Sequence, residues 1–193
     1  MGRYYGKEEY PSITTVISVL ARFKGIDPEI LARKAKLGSA VHKYTAAIDK
    51  GISWFPKGIP SKAQPYIDQW NQFKEDRVER IIWIEQPLIS ETFKFGGTLD
   101  RLLTLKGERF PRIAQIKTST VIDRFTAMQV AAETLLAYEN YKNKIDQNGM
   151  AVQLSPTGYR IPPLFENGQD VADAVQGFMY CLWLYHYLRE RRD

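Results

Sequence analysis

The chain has 193 residues and a mass of 22.3 kDa, with 44% hydrophobic and 25% charged residues, a globular composition that excludes disorder or low complexity as its main state. Twenty-seven Lys and Arg against 22 Asp and Glu leave a formal charge of +5 and a pI near 9.2, which favours an anionic partner without deciding it. The single cysteine, Cys181, excludes an internal disulfide, multi-cysteine zinc sites and a four-cysteine iron–sulfur cluster, and points to a reducing compartment.

The length predicts one compact unit over 1–193. Residues 1–13 lack the apolar core of a secretion signal, and the longest apolar stretch, 178–188, contains a histidine and is too short to span a bilayer. An intracellular protein with no membrane segment is expected.

Ser12 followed by Ile13, Val16, Ile17 and Leu20 predicts a short first helix. Asp27-Pro28 is a stronger start signal, an acidic N-cap before a proline at the first helical position. Ile30, Leu37, Val41, Tyr44 and Ile48 then share one face until Gly51. Within this helix Gly38-Ser39-Ala40 are small, which suits close approach of something to that face. A loop follows over 52–60, and Ser61 is the expected cap of a third helix carrying Tyr66, Trp70 and Phe73 to about Arg77.

The period then changes from helical to alternating. Strands are predicted at 80–89, 97–105 and 109–117, with a short return over 91–94. A helix from Asp123 to about Tyr141 comes next, then a hairpin of 150–154 with 159–161 across Ser155-Pro156-Thr157-Gly158. The last helix, over 170–192, places Val171, Val175, Phe178, Met179, Leu182, Tyr185 and Leu188 on a face wide enough to cover a sheet. The order of elements predicts an α/β (α+β) fold, a central mixed sheet flanked by helices.

The chemistry concentrates in Gly97-Thr98-Leu99-Asp100-Arg101 and Gln115-Ile116-Lys117-Thr118-Ser119. If Gly107-Glu108 form a two-residue turn, positions summing to 215 face each other, so Asp100 lies opposite Gln115, with Lys117 on the same face. Alone, an acid or a lysine on a strand is more often a solvated surface group. Together, an acid, a second ligand position and a lysine on neighbouring strands are what metal-assisted phosphodiester hydrolysis requires.

Asp100 with Gln115-Ile116-Lys117 resembles the signature of the PD-(D/E)XK nuclease superfamily. Further segments resemble its RecB-like exonuclease branch, which includes phage and mitochondrial genome maintenance exonucleases. These are Pro11-Ser12-Ile13-Thr14-Thr15-Val16, Gly38 four residues before His42, Glu85-Gln86-Pro87 ahead of Asp100, and Gln129 in the helix after the lysine strand.

The resemblance implies a restriction-endonuclease-like core and a deoxyribonuclease that takes Mg²⁺ or Mn²⁺, without an iron–sulfur cluster, and acts on DNA ends in recombination, repair or processing. Asp100 would be the principal metal carboxylate, with Gln115, the Ile116 carbonyl and His42 as further ligands. Lys117 would be the catalytic lysine, and Glu85 an additional ligand or water-orienting acid. Gln129 would contact DNA or brace the site, while Thr118, Ser119, Arg101, Lys43 and Lys36 and the loop from Trp54 to Lys57 are candidates for DNA contact.

Two positions depart from the family pattern. Gln115 stands where the family has Asp or Glu, so it brings an oxygen but no charge. Glu133 stands where many relatives carry tyrosine. The alternatives are a non-catalytic DNA-binding protein on the same fold, or a subunit of a recombination or repair assembly that docks through the aromatic last helix.

Overall fold

The computed structural model describes residues 3–5, 8–20 and 27–190. Its centre is a five-stranded mixed sheet in the order β3-β4-β5-β6-β7, formed by Val78–Ser90, Phe95–Leu105, Arg112–Lys117, Met150–Ser155 and Gly158–Arg160. Every neighbouring pair is antiparallel except β5 and β6, whose parallel pairing requires a crossover. Helix α4 (Arg124–Asn140) makes that crossover. A separate two-stranded ladder, β1 (Arg3–Tyr5) with β2 (Glu8–Tyr10), has no counterpart in the sequence reading.

The helices begin where local chemistry starts them. Asp27 accepts from the Glu29 amide at 2.8 Å and Pro28 opens α2 (Pro28–Asp49). Asp123 accepts from the amides of Phe125 and Thr126 at the start of α4. Asn167 accepts from Gln169 and Asp170 at the start of α5 (Gly168–Glu190), while Asp170 accepts in return from the Asn167 amide.

Two expectations at helix ends do not hold. Ser61 caps nothing: α3 (Gln64–Arg77) starts after Ala63 with a proline in its first turn and no side-chain cap. Helix α1 covers only Ile13–Ile17, capped by Ser12, and Leu20 is half exposed because the chain has already left the helix.

Apolar side chains cover both faces of the sheet. On one, Ile13, Val16 and Ile17 of α1, Val130, Leu136 and Ala137 of α4, and Phe178 and Leu182 of α5 pack with Leu99, Leu102 and Ile113. On the other, Val41 of α2 and Ile67, Trp70 and Phe73 of α3 pack with Leu103, Ala114, Ile116 and Val152. Helix α5 rests mainly on α4 and α1 and meets the sheet where Phe178 touches Phe95, ring centroids 4.8 Å apart. Its expected face is therefore only partly buried, and Leu188 is exposed. No helix among the described residues is long and apolar enough to cross a membrane.

The strand register matches the expected sum: Arg101 pairs with Ala114, Leu102 with Ile113 and Leu103 with Arg112. The two-residue turn does not. Glu108 N donates to Leu105 O at 3.1 Å around Gly107, whose φ is +77°, and residues 106–111 connect the strands. The ladder also stops one position before Asp100 and Gln115. There the Asp100 carboxylate takes the place of a backbone acceptor, its Oδ2 accepting from Ile116 N at 2.8 Å. The sheet thus opens between β4 and β5 at the residues of interest.

Arg101 is fully buried, so it cannot reach a nucleic acid as the sequence reading expected. Its Nε donates to Asp49 Oδ2 at 2.8 Å, Nη1 to the Asp100 carbonyl at 2.6 Å and Nη2 to Thr45 Oγ1 at 3.2 Å. The guanidinium also lies 5.3 Å from the centre of the Trp70 ring. Replacing it with leucine would leave the buried Asp49 carboxylate to Lys74 and Trp70 alone, an expected loss of roughly 3–5 kcal/mol of stability. Urea denaturation of Arg101→Leu beside Lys74→Leu measures it, and equal losses in the two variants would contradict a central role for Arg101.

Candidate metal centre

Three elements bring three ligand-bearing side chains together: His42 from α2, Glu85 from β3 and Asp100 from β4. One ligand atom from each lies within 4.8 Å of the others. His42 Nδ1 is 3.2 Å from Asp100 Oδ1 and 3.7 Å from Glu85 Oε1. Burial works against a proton on His42, but the Asp100 charge and hydrogen bond, with smaller help from Glu85, raise its pKa to about 10.

Glu85 is held in an unusual backbone. Its φ is +48° in the middle of a strand, between the pairs Ile84–Arg101 and Gln86–Leu99, a conformation that side-chain-bearing residues rarely adopt. Arg101 Nη1 reaches its Oε1 at 3.3 Å, so the buried guanidinium ties down the strained residue. Asp49 and Thr45, which the sequence reading missed, complete this support. They follow His42 at helical spacing, and that spacing is the signal that could have found them.

Lys117 stands at the end of β5 and donates to Gln129 Oε1 at 2.7 Å, while Gln129 Nε2 donates to Glu133 Oε1 at 3.0 Å. Of its two expected roles, Gln129 has the bracing geometry. Burial above all, and then the Asp100 charge, push the Glu133 pKa up to about 8, against the opposing pull of Lys117. Gln115 is buried, and its Oε1 has no hydrogen-bond partner among the described residues. Ile116 gives its amide to Asp100 and its side chain to the core beside α2 and α3.

An open cleft of about 820 Å³ lies over this group, lined by Thr14, Gly38, Ser39, His42, Lys43, Glu85 and Lys117. A Cβ on Gly38 would meet only Thr118 Oγ1, at an ordinary 3.5 Å, so Gly38 and Ser39 border the open cleft, whereas Ala40 packs against the core. Ser119 is exposed beyond the strand, its carbonyl accepting from Gln153. Lys36 does not line the cleft: it lines a neighbouring cavity of about 520 Å³ with Arg33, Lys34 and Lys62. Trp54 is 74% exposed on the loop that Tyr44 ties to Gly58. A cavity of about 890 Å³ between α4 and α5 is lined by Met128, Tyr180, Cys181 and Leu184 and, among the described residues, carries no comparable set of ligands.

Hard oxygen donors with one imidazole suit Mg²⁺ or Mn²⁺, and the unpaired amide oxygen of Gln115 is the kind of atom such an ion satisfies. A histidine whose pKa is higher in the folded than in the unfolded chain stabilises the fold fully below about pH 6.5, and that contribution is lost as pH rises towards 10. Glu133 adds a loss of the same sign between about 4.5 and 8. The melting temperature of the metal-free protein is therefore expected to fall from pH 6.5 to 10, and His42→Gln to flatten the upper part of that fall. An identical profile in the variant would exclude the His42–Asp100 pair as its source.

No protein-family model matches the chain, and no curated protein matches it.

Proposed function

We propose that this chain is a divalent-metal-dependent deoxyribonuclease of the PD-(D/E)XK superfamily, in its RecB-like exonuclease branch, and that its sheet is a restriction-endonuclease-like core. The observation that carries the reading is the convergence of His42, Glu85 and Asp100 beneath a cleft that Lys117 also lines. The residues come from separate parts of the chain, and they meet where β4 and β5 part.

A Mg²⁺ or Mn²⁺ ion held by Asp100, Glu85, His42 and the Gln115 oxygen would bring an acidified water and neutralise phosphate charge. The protein's own groups do the rest. Lys117 sets an ammonium beside the scissile phosphate and offsets charge developing there, and Gln129 keeps that ammonium from swinging free. The cleft is open enough for a nucleic-acid strand, with Lys43 on its wall. Arg33, Lys34 and Lys36 on the same helix, with Lys62 from the turn before α3, offer a neighbouring positive surface for contact with the phosphate backbone.

One observation favours the second reading, a DNA-binding protein without catalysis: Gln115 supplies no charge where the resemblance leads one to expect an acid. End-labelled single- and double-stranded DNA with Mg²⁺ or Mn²⁺ separates the two. Lys117→Ala is expected to lower cleavage by about 100-fold or more while leaving the melting temperature nearly unchanged, because Lys117 is only half-buried. Gln115→Glu is expected to raise cleavage. DNA binding with no cutting by the parent chain or by Gln115→Glu would support the non-catalytic reading.

A further inference from the structure

Two buried side-chain oxygens beside Asp100 lack a hydrogen-bond partner among the described residues: Gln115 Oε1 and Glu133 Oε2. Their residues are only 4% and 2% exposed. Leaving either oxygen unsatisfied in the interior is costly, the carboxylate far more so.

The fold places the two on facing surfaces. The Cβ that Gly149 lacks would touch Val130 and Thr134 of α4 and Ile113 of β5 together, so this side of α4 lies on the β5 face that carries Ile113. By the period of two, Gln115 and Lys117 share that face. Glu133 follows Val130 at the i, i+3 spacing and so adjoins that side of the helix, where it is buried. Its Oε1 is committed to Gln129, whereas Oε2 is not. The charges of Asp100, Lys117 and His42 all act on it. A carboxyl buried next to another carboxylate, with an open oxygen, is an arrangement that a divalent cation relieves.

We propose that Glu133 is a ligand of the divalent cation, supplying from α4 the carboxylate that Gln115 does not supply from β5. The proposal rests on reading the His42, Glu85 and Asp100 group as a cation site. It gives the centre a carboxylate beside β5, in addition to Asp100 and Glu85, despite an amide at position 115.

Calorimetric titration of the intact, metal-free chain with Mn²⁺ tests this without any cleavage assay. Glu133→Gln is expected to weaken Mn²⁺ binding by about tenfold or more, since even the outer partners of a metal's ligands are worth about that much. The double variant Gln115→Glu/Glu133→Gln, which moves the charge back to the strand, is expected to recover most of that affinity. Glu133→Asp keeps the charge but withdraws the oxygen, and is expected to weaken binding as well, so the result does not depend on one variant tolerating loss of a buried acid. Parent affinity in Glu133→Gln, or no recovery in the double variant, overturns the proposal. Asp100→Asn separates the two readings: if it abolishes Mn²⁺ binding while Glu133→Gln leaves it intact, the cation site stands and Glu133 is not a ligand. Undiminished binding in Asp100→Asn overturns both.

Discussion

A guanidinium placed in the interior must find several acceptors at once, and the way Arg101 finds them organises the surrounding structure. Its donors reach Asp49 and Thr45 on α2, Glu85 on β3 and the Asp100 carbonyl on its own strand, with Trp70 of α3 against its flat face. Each partner is a group that would itself be expensive to bury alone. The network thus ties α2 to β3 and β4, and with it the helix that carries His42. Lys74 and the Trp70 indole complete the shell around Asp49 from α3. Arg101 touches no candidate substrate position, yet the geometry above it depends on its pairing.

Above this base the site is a balance of opposite charges at close range. Asp100 meets a histidine on one side and a backbone amide on the other, and the amide that it captures belongs to the strand carrying Lys117. The parting of β4 and β5 is therefore stabilised by the residue that most benefits from it. A ladder continued through Asp100 and Gln115 would close the gap, and the carboxylate would have less freedom to face a cation.

Much of this was legible because it depends on local rules. The helix carrying His42 announces itself by Asp27-Pro28, and alternation with a fixed sum of positions put Asp100 and Gln115 in neighbouring places even though the turn between the strands has a different length. What was not legible depends on three-dimensional convergence. Arginine on a strand usually reads as a surface cation, and only the simultaneous arrival of Asp49, Thr45 and Glu85 makes a buried position affordable for Arg101. Lys36 and Lys43, seven residues apart, have nearly the same helical phase, yet Lys43 lines the cleft and Lys36 a neighbouring cavity, a difference of side-chain direction that spacing does not report. The last helix looked like a sheet cover because its apolar face is broad, but α4 already occupied that surface.

The left-handed backbone at Glu85 sets stability and chemistry in opposition at a single residue. Glycine would accept a φ of +48° freely, whereas a residue with a side chain there gives up about 1–3 kcal/mol. Glycine would also remove the carboxylate that points to His42 and receives Arg101. A chain selected for stability alone would drift towards glycine at position 85. Keeping glutamate is the choice of a protein that spends folding energy on the orientation of one side chain, and it marks this position as the one where tolerance to substitution should be narrowest.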